Sequence, residues 1–155
     1  MKSEGRTDSV ELLGVKINSI NREDLLKQAV DWAGQTRKVM ISHVNAHCMN
    51  IAAKDEAYRR LLNQFDLVYS DGVGVVWVGR FLKQSILYKV TGRAWIEEFC
   101  WICQEQGISL YLLGGRPGIA REAQARLQER SPKLQILGAC DGYFHEKNEL
   151  EVPGR

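Results

Sequence analysis

No stretch of this chain reaches the roughly 18 consecutive apolar residues that a membrane-spanning helix needs. Charge of one sign is also lacking. The 21 Lys and Arg against 19 Asp and Glu leave a formal charge of +2, a balance that argues against a nucleic-acid surface. Residues 1–9 are polar and lack the apolar centre of a secretion signal. They are read as a flexible N-terminal segment, and a cytoplasmic location is expected. Metal motifs are missing too. His43 and His47 are four apart but belong to no His-Glu-x-x-His pattern, and Cys100-Trp-Ile-Cys103 has no second Cys-x-x-Cys to complete a zinc site. Neither a metal nor another cofactor is expected. The nucleotide signatures Gly-x-Gly-x-x-Gly and Walker lysine are absent, as are internal repeats and interdomain linkers.

What is present suits a single soluble domain. The chain has 155 residues, 45% hydrophobic and 26% charged. Residues 10–155 are read as one α/β domain in which strands alternate with helices. That pattern predicts a Rossmann-like, mostly parallel sheet with helices on both faces. Strands are expected over Val10–Ile17 (or a hairpin arm there), Val39–Ile41, Phe65–Tyr69, Ile108–Leu113 and Leu134–Leu137. Asn21 is placed to cap a helix carrying Leu25, Leu26, Ala29, Val30 and Ala33, ended by Gly34. A second helix follows His43–Asn50, with Ile51, Ala52, Tyr58, Leu61 and Leu62 on its apolar side. Further helices are expected over Val73–Leu82, over Trp95–Gln106, and from Pro117 to about Glu129. A last helix is expected from Glu146. Cys100 and Cys103 fall in mid-helix, not at the strand-to-helix turn of a redox pair, and are read as core packing.

The most informative stretch is Val68-Tyr-Ser-Asp-Gly-Val-Gly-Val-Val-Trp77. An apolar run ends in a carboxylate, two glycines follow, and a new apolar run begins. Asp71 therefore stands after a strand and before a helix, where open α/β sheets bind ligands. It is either a general base or the cap of the helix behind it. Asn45 and His47 follow the preceding strand and can reach the same edge, Asn45 as a ligand amide or as a cap. His43 is either a titrating group or an ordinary surface or packed histidine. Arg80, Lys83, Lys89 and Arg93 gather positive charge downstream, fit for a diphosphate or for a solvated face. Thr91-Gly92 adds backbone donors for phosphate oxygens. Gly114-Gly115-Arg116-Pro-Gly118 also joins a strand to a helix and can present donors to an anion. Asp141-Gly-Tyr143-Phe144 is a turn or a rim against a planar group. Together these residues outline an anion or nucleotide pocket at the carboxyl edge of the sheet.

The series Asn45-Ala-His47, Phe65-Asp-Leu-Val68, Asp71-Gly-Val-Gly-Val-Val-Trp77 with Arg80, Val90-Thr-Gly92, Leu112-Leu-Gly-Gly115 with Pro117-Gly118, and Gly142-Tyr-Phe144 resembles the WecG/TagA/CpsF family of bacterial glycosyltransferases. The resemblance covers nearly all of the chain from Val10. It implies an inverting, metal-independent enzyme moving an N-acetylmannosamine-type sugar from a UDP donor. The implied acceptor is polyprenyl-diphosphate-linked N-acetylglucosamine at the inner face of the cytoplasmic membrane, in teichoic acid or related cell-surface polysaccharide synthesis. It places the base on Asp71 and a polar substrate contact on Asn45. His43 stands where family members often have threonine.

Two departures from the family pattern stand out. Tyr88-Lys-Val-Thr-Gly92 replaces Glu-Arg-Val-Thr-Gly, and the family's Gly-x-Gly-x-Pro-Lys-Gln-Glu segment and basic amphipathic C-terminal region have no counterpart. The domain is therefore expected to be incomplete at its C-terminus, with peripheral membrane binding weak for this chain and stronger in a complete protein. The alternative function is a non-catalytic nucleotide-sugar-binding or assembly module. The aromatic-rich helix with Trp95, Phe99 and Trp101 leads to the expectation of a homo-oligomer.

Overall fold

The computed structural model describes residues 8–82 and 88–143, excepting the side chains of residues 93 and 94. The helix expected from Glu146 lies outside the described residues, as do Lys83, Phe144 and the side chain of Arg93. The chain divides into two compact units, Met1–Ile96 and Glu97–Arg155.

The first unit opens with a hairpin of β1 (Ser9–Leu12) and β2 (Val15–Asn18). Leu13 and Gly14 both have positive φ, 51° and 78°, as a two-residue hairpin turn with the right twist requires. Leu12, Val15 and Ile17 point into the core. α1 (Arg22–Ala33) is capped by Asn21, whose side chain accepts from the Asp24 N–H at 2.8 Å, and Gly34 closes it. Leu25, Leu26, Ala29 and Val30 are buried as expected. Ala33 is exposed, and Trp32 packs against the core instead.

β3 (Ile41–Val44) begins two residues later than Val39, where the sequence reading put it. The cause is Asp66, whose carboxylate accepts the Met40 N–H at 2.9 Å and so holds the chain just ahead of the ladder. β4 (Leu67–Ser70) runs parallel to β3, pairing Ile41 with Leu67 and His43 with Tyr69. β2 lies beside β4, and the Asn18 side chain accepts the Val68 N–H at 2.9 Å. The single helix expected after His43 is two, α2 (Ala46–Lys54) and α3 (Glu56–Leu62). Asp55 ends the first and caps the second by accepting the Tyr58 N–H at 3.0 Å. This break turns Leu61 outward. α4 (Val73–Phe81) follows β4 as predicted.

β4 is buried along its whole length, and its alternation divides the core. Val68 packs with residues of α2, α3 and α4, namely Met49, Ala52, Leu62, Val75 and Val76. Leu67 and Tyr69 pack with Leu25 and Trp32 of α1 and with Trp95 of α5 (Gly92–Gln106). Helices thus flank the parallel pair on both faces, in the Rossmann-like manner expected.

The second unit holds the later part of α5 and a parallel pair, β5 (Leu110–Leu113) and β6 (Ile136–Cys140), with α6 (Ile119–Arg130) between them in sequence. Cys100 and Cys103 are 1% and 0% exposed and pack with Leu134, Leu110, Leu127 and Ile136. β5 is less buried than its apolar sequence suggests, with Tyr111 and Leu113 exposed. Gly138 to Cys140, beyond the strand expected over Leu134–Leu137, continue β6. The glycine is needed there: a Cβ at Gly138 would lie 2.7 Å from the Tyr111 ring, at the register shift between Leu110 and Tyr111. Pro117 precedes the helix instead of opening it, because Gly118 at φ +88° is the N-cap of α6.

Candidate functional site

Two carboxyl edges carry the sequence-predicted residues, one in each unit. At the edge of β3 and β4, Asp71 follows the last strand residue. Its N–H donates to the Val44 carbonyl at 2.8 Å, which brings the start of the Asn45 loop alongside it. The N-cap of α4 is Gly72, at φ +102° and with no side-chain cap bond. Asp71 is therefore not the cap of that helix. Its carboxylate is 27% exposed and stands 4.0 Å from His43 Nε2.

His43 lies within β3, directly across from Tyr69. The two rings are 5.9 Å apart and tilted by 40°. Tyr69 is 4% exposed and accepts a hydrogen bond from the Trp95 indole at 3.2 Å. Burial pushes the Tyr69 hydroxyl above its ordinary pKa, the Trp95 hydrogen bond works against that shift, and the negative charge of Asp71 adds to it. A protonated, anchored phenol thus forms a firm wall behind His43.

Asn45 caps α2, its Oδ1 accepting the Cys48 N–H at 3.0 Å. The capping role is thus realised. It uses the amide oxygen and leaves the chemistry of the Nδ2 donors open to a ligand. His47, the second residue of α2, is exposed.

Beyond the strands, Tyr88–Val90 runs past the end of β4. The buried Ser70 hydroxyl donates to the Tyr88 carbonyl at 2.6 Å, and the Val90 N–H donates to the Ser70 carbonyl at 3.1 Å. These two bonds straddle Lys89 and fix its backbone at this edge, with the side chain exposed. Thr91 follows, and Gly92 opens α5. A Cβ on Gly92 would lie 3.8 Å from Tyr69 Oη, so the first turn of α5 approaches the same wall. Arg80 is placed differently. It sits in the last turn of α4, on the order of 10 Å of helix away from the Asp71 end.

At the edge of β5 and β6, the Gly114-Gly115 turn is tied to the other strand. The Gly114 N–H donates to the Cys140 carbonyl, and the Gly142 N–H to the Gly115 carbonyl, each at 2.9 Å. Asp141 accepts the Gly118 N–H at 3.0 Å, so its carboxylate already occupies the start of α6. Arg116 and Tyr143 are exposed. Among the described residues, no three His, Cys, Asp or Glu side chains gather as a metal set, and no helix is long and apolar enough to cross a membrane.

The profile of the glycosyl transferase WecG/TagA/CpsF family matches residues 10–153. The chain belongs to this family. Relatives from Staphylococcus aureus strains NCTC 8325 / PS 47, COL and MSSA476 are named N-acetylglucosaminyldiphosphoundecaprenol N-acetyl-beta-D-mannosaminyltransferase. Each is 27% identical over 154 residues, covering 98% of this chain and 60% of the relative. The chain therefore spans about 60% of the length of these curated relatives.

In this WecG/TagA/CpsF chain the first edge brings together Asp71, His43, Asn45, Lys89, Thr91 and Gly92. The second edge brings together Gly114, Gly115, Arg116, Asp141 and Tyr143. Sequence reasoning missed the supporting residues Tyr69, Ser70 and Trp95. Their signal was alternation: Tyr69 and Ser70 precede Asp71 on opposite faces of one strand, so one must back the site and the other must tie down its neighbour. The cysteine pair takes no part in it. Burial pushes the Cys103 thiol up to about 11, with the adjacent Cys100 adding to the shift, and burial raises Cys100 as well. Both stay protonated near neutrality and are poor nucleophiles.

Proposed function

We propose that this chain carries the catalytic edge of an inverting glycosyltransferase that moves an N-acetylmannosamine-type sugar from a UDP donor to a polyprenyl-diphosphate-linked N-acetylglucosamine. The observation that carries this reading is the Asp71 carboxylate: it lies at the carboxyl end of a parallel strand, is not used as a helix cap, and is partly open to solvent. The family match and the relatives' names support the sugar and the acceptor.

In the proposed step, Asp71 takes the proton of the acceptor hydroxyl. The hydroxyl oxygen forms a bond to the anomeric carbon of the donor. The bond from that carbon to the diphosphate oxygen breaks, and its electron pair leaves with UDP. Lys89 and the backbone donors of Thr91-Gly92 at the start of α5 are the nearest candidates to stabilise the leaving charge. Arg80, at the far end of α4, is assigned to a more distant part of the substrate. Asn45 offers its Nδ2 donors to a sugar, and His47 lines the same side. Gly114, Gly115, Arg116 and Tyr143 of the second edge are assigned to substrate binding, with Asp141 holding their loop in shape.

The acceptor class requires the site to approach the inner face of the cytoplasmic membrane, so peripheral association belongs to the same proposal. A homo-oligomer is proposed through α5, where Trp101 is 57% exposed. Liposome flotation and light scattering over a dilution series test these two parts.

The function itself is tested by incubating the complete protein with UDP-N-acetylmannosamine and the lipid-linked acceptor. The expected result is a lipid-linked disaccharide and free UDP in equal amounts. UDP binding without transfer would replace the enzyme with a nucleotide-sugar-binding module. Absence of UDP binding would overturn both.

A further inference from the structure

The geometry points to His43 as the residue that receives the proton from Asp71 and passes it to solvent. This inference rests on the reading of Asp71 as the base. Its own support is positional. His43 Nε2 faces Asp71 Oδ2 at 4.0 Å, beyond a direct hydrogen bond but within reach of one bridging water or of a small closure when substrate arrives. The imidazole is more exposed than the carboxylate, 49% against 27%. The pair therefore forms a path from the partly enclosed carboxylate outward.

The path is held in place. The ladder puts His43 opposite Tyr69, the two rings touch, and Tyr69 is anchored by Trp95. The Asp71 backbone is fixed by Val44, the residue after His43. Among the described residues, the titratable groups set against the imidazole are the Asp71 carboxylate and the Tyr69 phenol. Two others, His47 on α2 and Lys89 beside the end of β4, are exposed at the same edge.

The proton balance is complete. A base that has taken the acceptor proton must lose it before the next turnover. Neutral His43 accepts it at Nε2 and becomes an imidazolium. That transfer restores the Asp71 carboxylate, and release of the proton to water restores the imidazole.

The test uses the complete protein and the transfer assay. His43→Ala is expected to lower kcat about ten-fold or more while KM stays within about two-fold, the pattern of a lost proton-transfer step. Free imidazole should restore most of the rate. His43→Gln keeps polar contacts but cannot titrate. It should remain as slow as the alanine variant, and its pH–rate profile should lose one ionisation. A raised KM with unchanged kcat, a fully active glutamine variant, or failure of imidazole to rescue would each overturn the inference. Asp71→Asn separates the two levels. If that variant transfers sugar normally, the base assignment itself fails. If it is slow while His43→Ala is normal, only the relay fails.

Discussion

The two parallel strand pairs end in carboxylates that do different work. Asp71 follows β4, and Asp141 follows β6. Each stands beside a glycine and near the start of a helix. Asp141 accepts the N–H of Gly118, the residue before α6, and so ties the loop after β6 to the turn after β5. Asp71 leaves the start of α4 to Gly72 and turns toward His43. The glycines that open the two helices do not separate them, since Gly72 at φ +102° and Gly118 at φ +88° both begin a helix without a side-chain cap. The difference lies in the partner each carboxylate meets. At Gly142, the backbone is pressed against the Gly114 turn, where a Cβ would lie 2.9 Å from Gly114 Cα. The same local sequence logic, a carboxylate and then a glycine, yields a partly exposed carboxylate beside a histidine in one place and a structural clamp in the other.

Replacing the two carboxylates should separate these roles most sharply. Asp71→Asn is expected to reduce transfer by about 10²–10⁴-fold, the usual range for loss of a positioned base, with thermal stability nearly unchanged. Retention of full activity would break the comparison. Gly142→Ala should be the most damaging change to the second edge, destabilising the protein by about 1–3 kcal/mol through overpacking against Gly114. Chemical denaturation measures it, and an unaltered midpoint would show that the turn yields easily. Asp141→Ala is expected to cost about 1 kcal/mol, the ordinary value of a lost hydrogen bond. A collapse of transfer without any loss of stability would move Asp141 from clamp to substrate contact.

The smallest effect concerns the thiol core. Cys103 titrates at about 11 in the folded chain against an ordinary 9.0. A pKa raised by folding means the folded state holds its proton longer than the unfolded state. The associated stability is complete below about pH 9 and declines as the pH rises toward 11. Urea unfolding followed across that window should show the decline, and Cys103→Ala should flatten it.

Much of this was legible in the sequence. Asn21 and Gly34 marked the ends of α1 because their cap chemistry is local. The place of Asp71 was legible because an apolar run, a carboxylate and two glycines are a local pattern. Three things were not legible, each because a distant partner decided them. Asp66 set the start of β3, so His43 sits inside a strand and faces Tyr69. Pairing with Tyr111 carries β6 past Leu137 through Gly138. Gly118 donates its N–H to Asp141, a pairing that spans 23 positions. The choice between base and cap for Asp71 also required backbone angles that its neighbours' identities do not specify.

The central claim is that Asp71 activates the acceptor for a single displacement. The anomeric configuration of the transferred sugar tests it most directly. With an α-linked UDP donor and the complete protein, nuclear magnetic resonance of the lipid-linked product should show a β linkage. An α linkage would contradict the account, because retention excludes a single in-line displacement and gives Asp71 a different task.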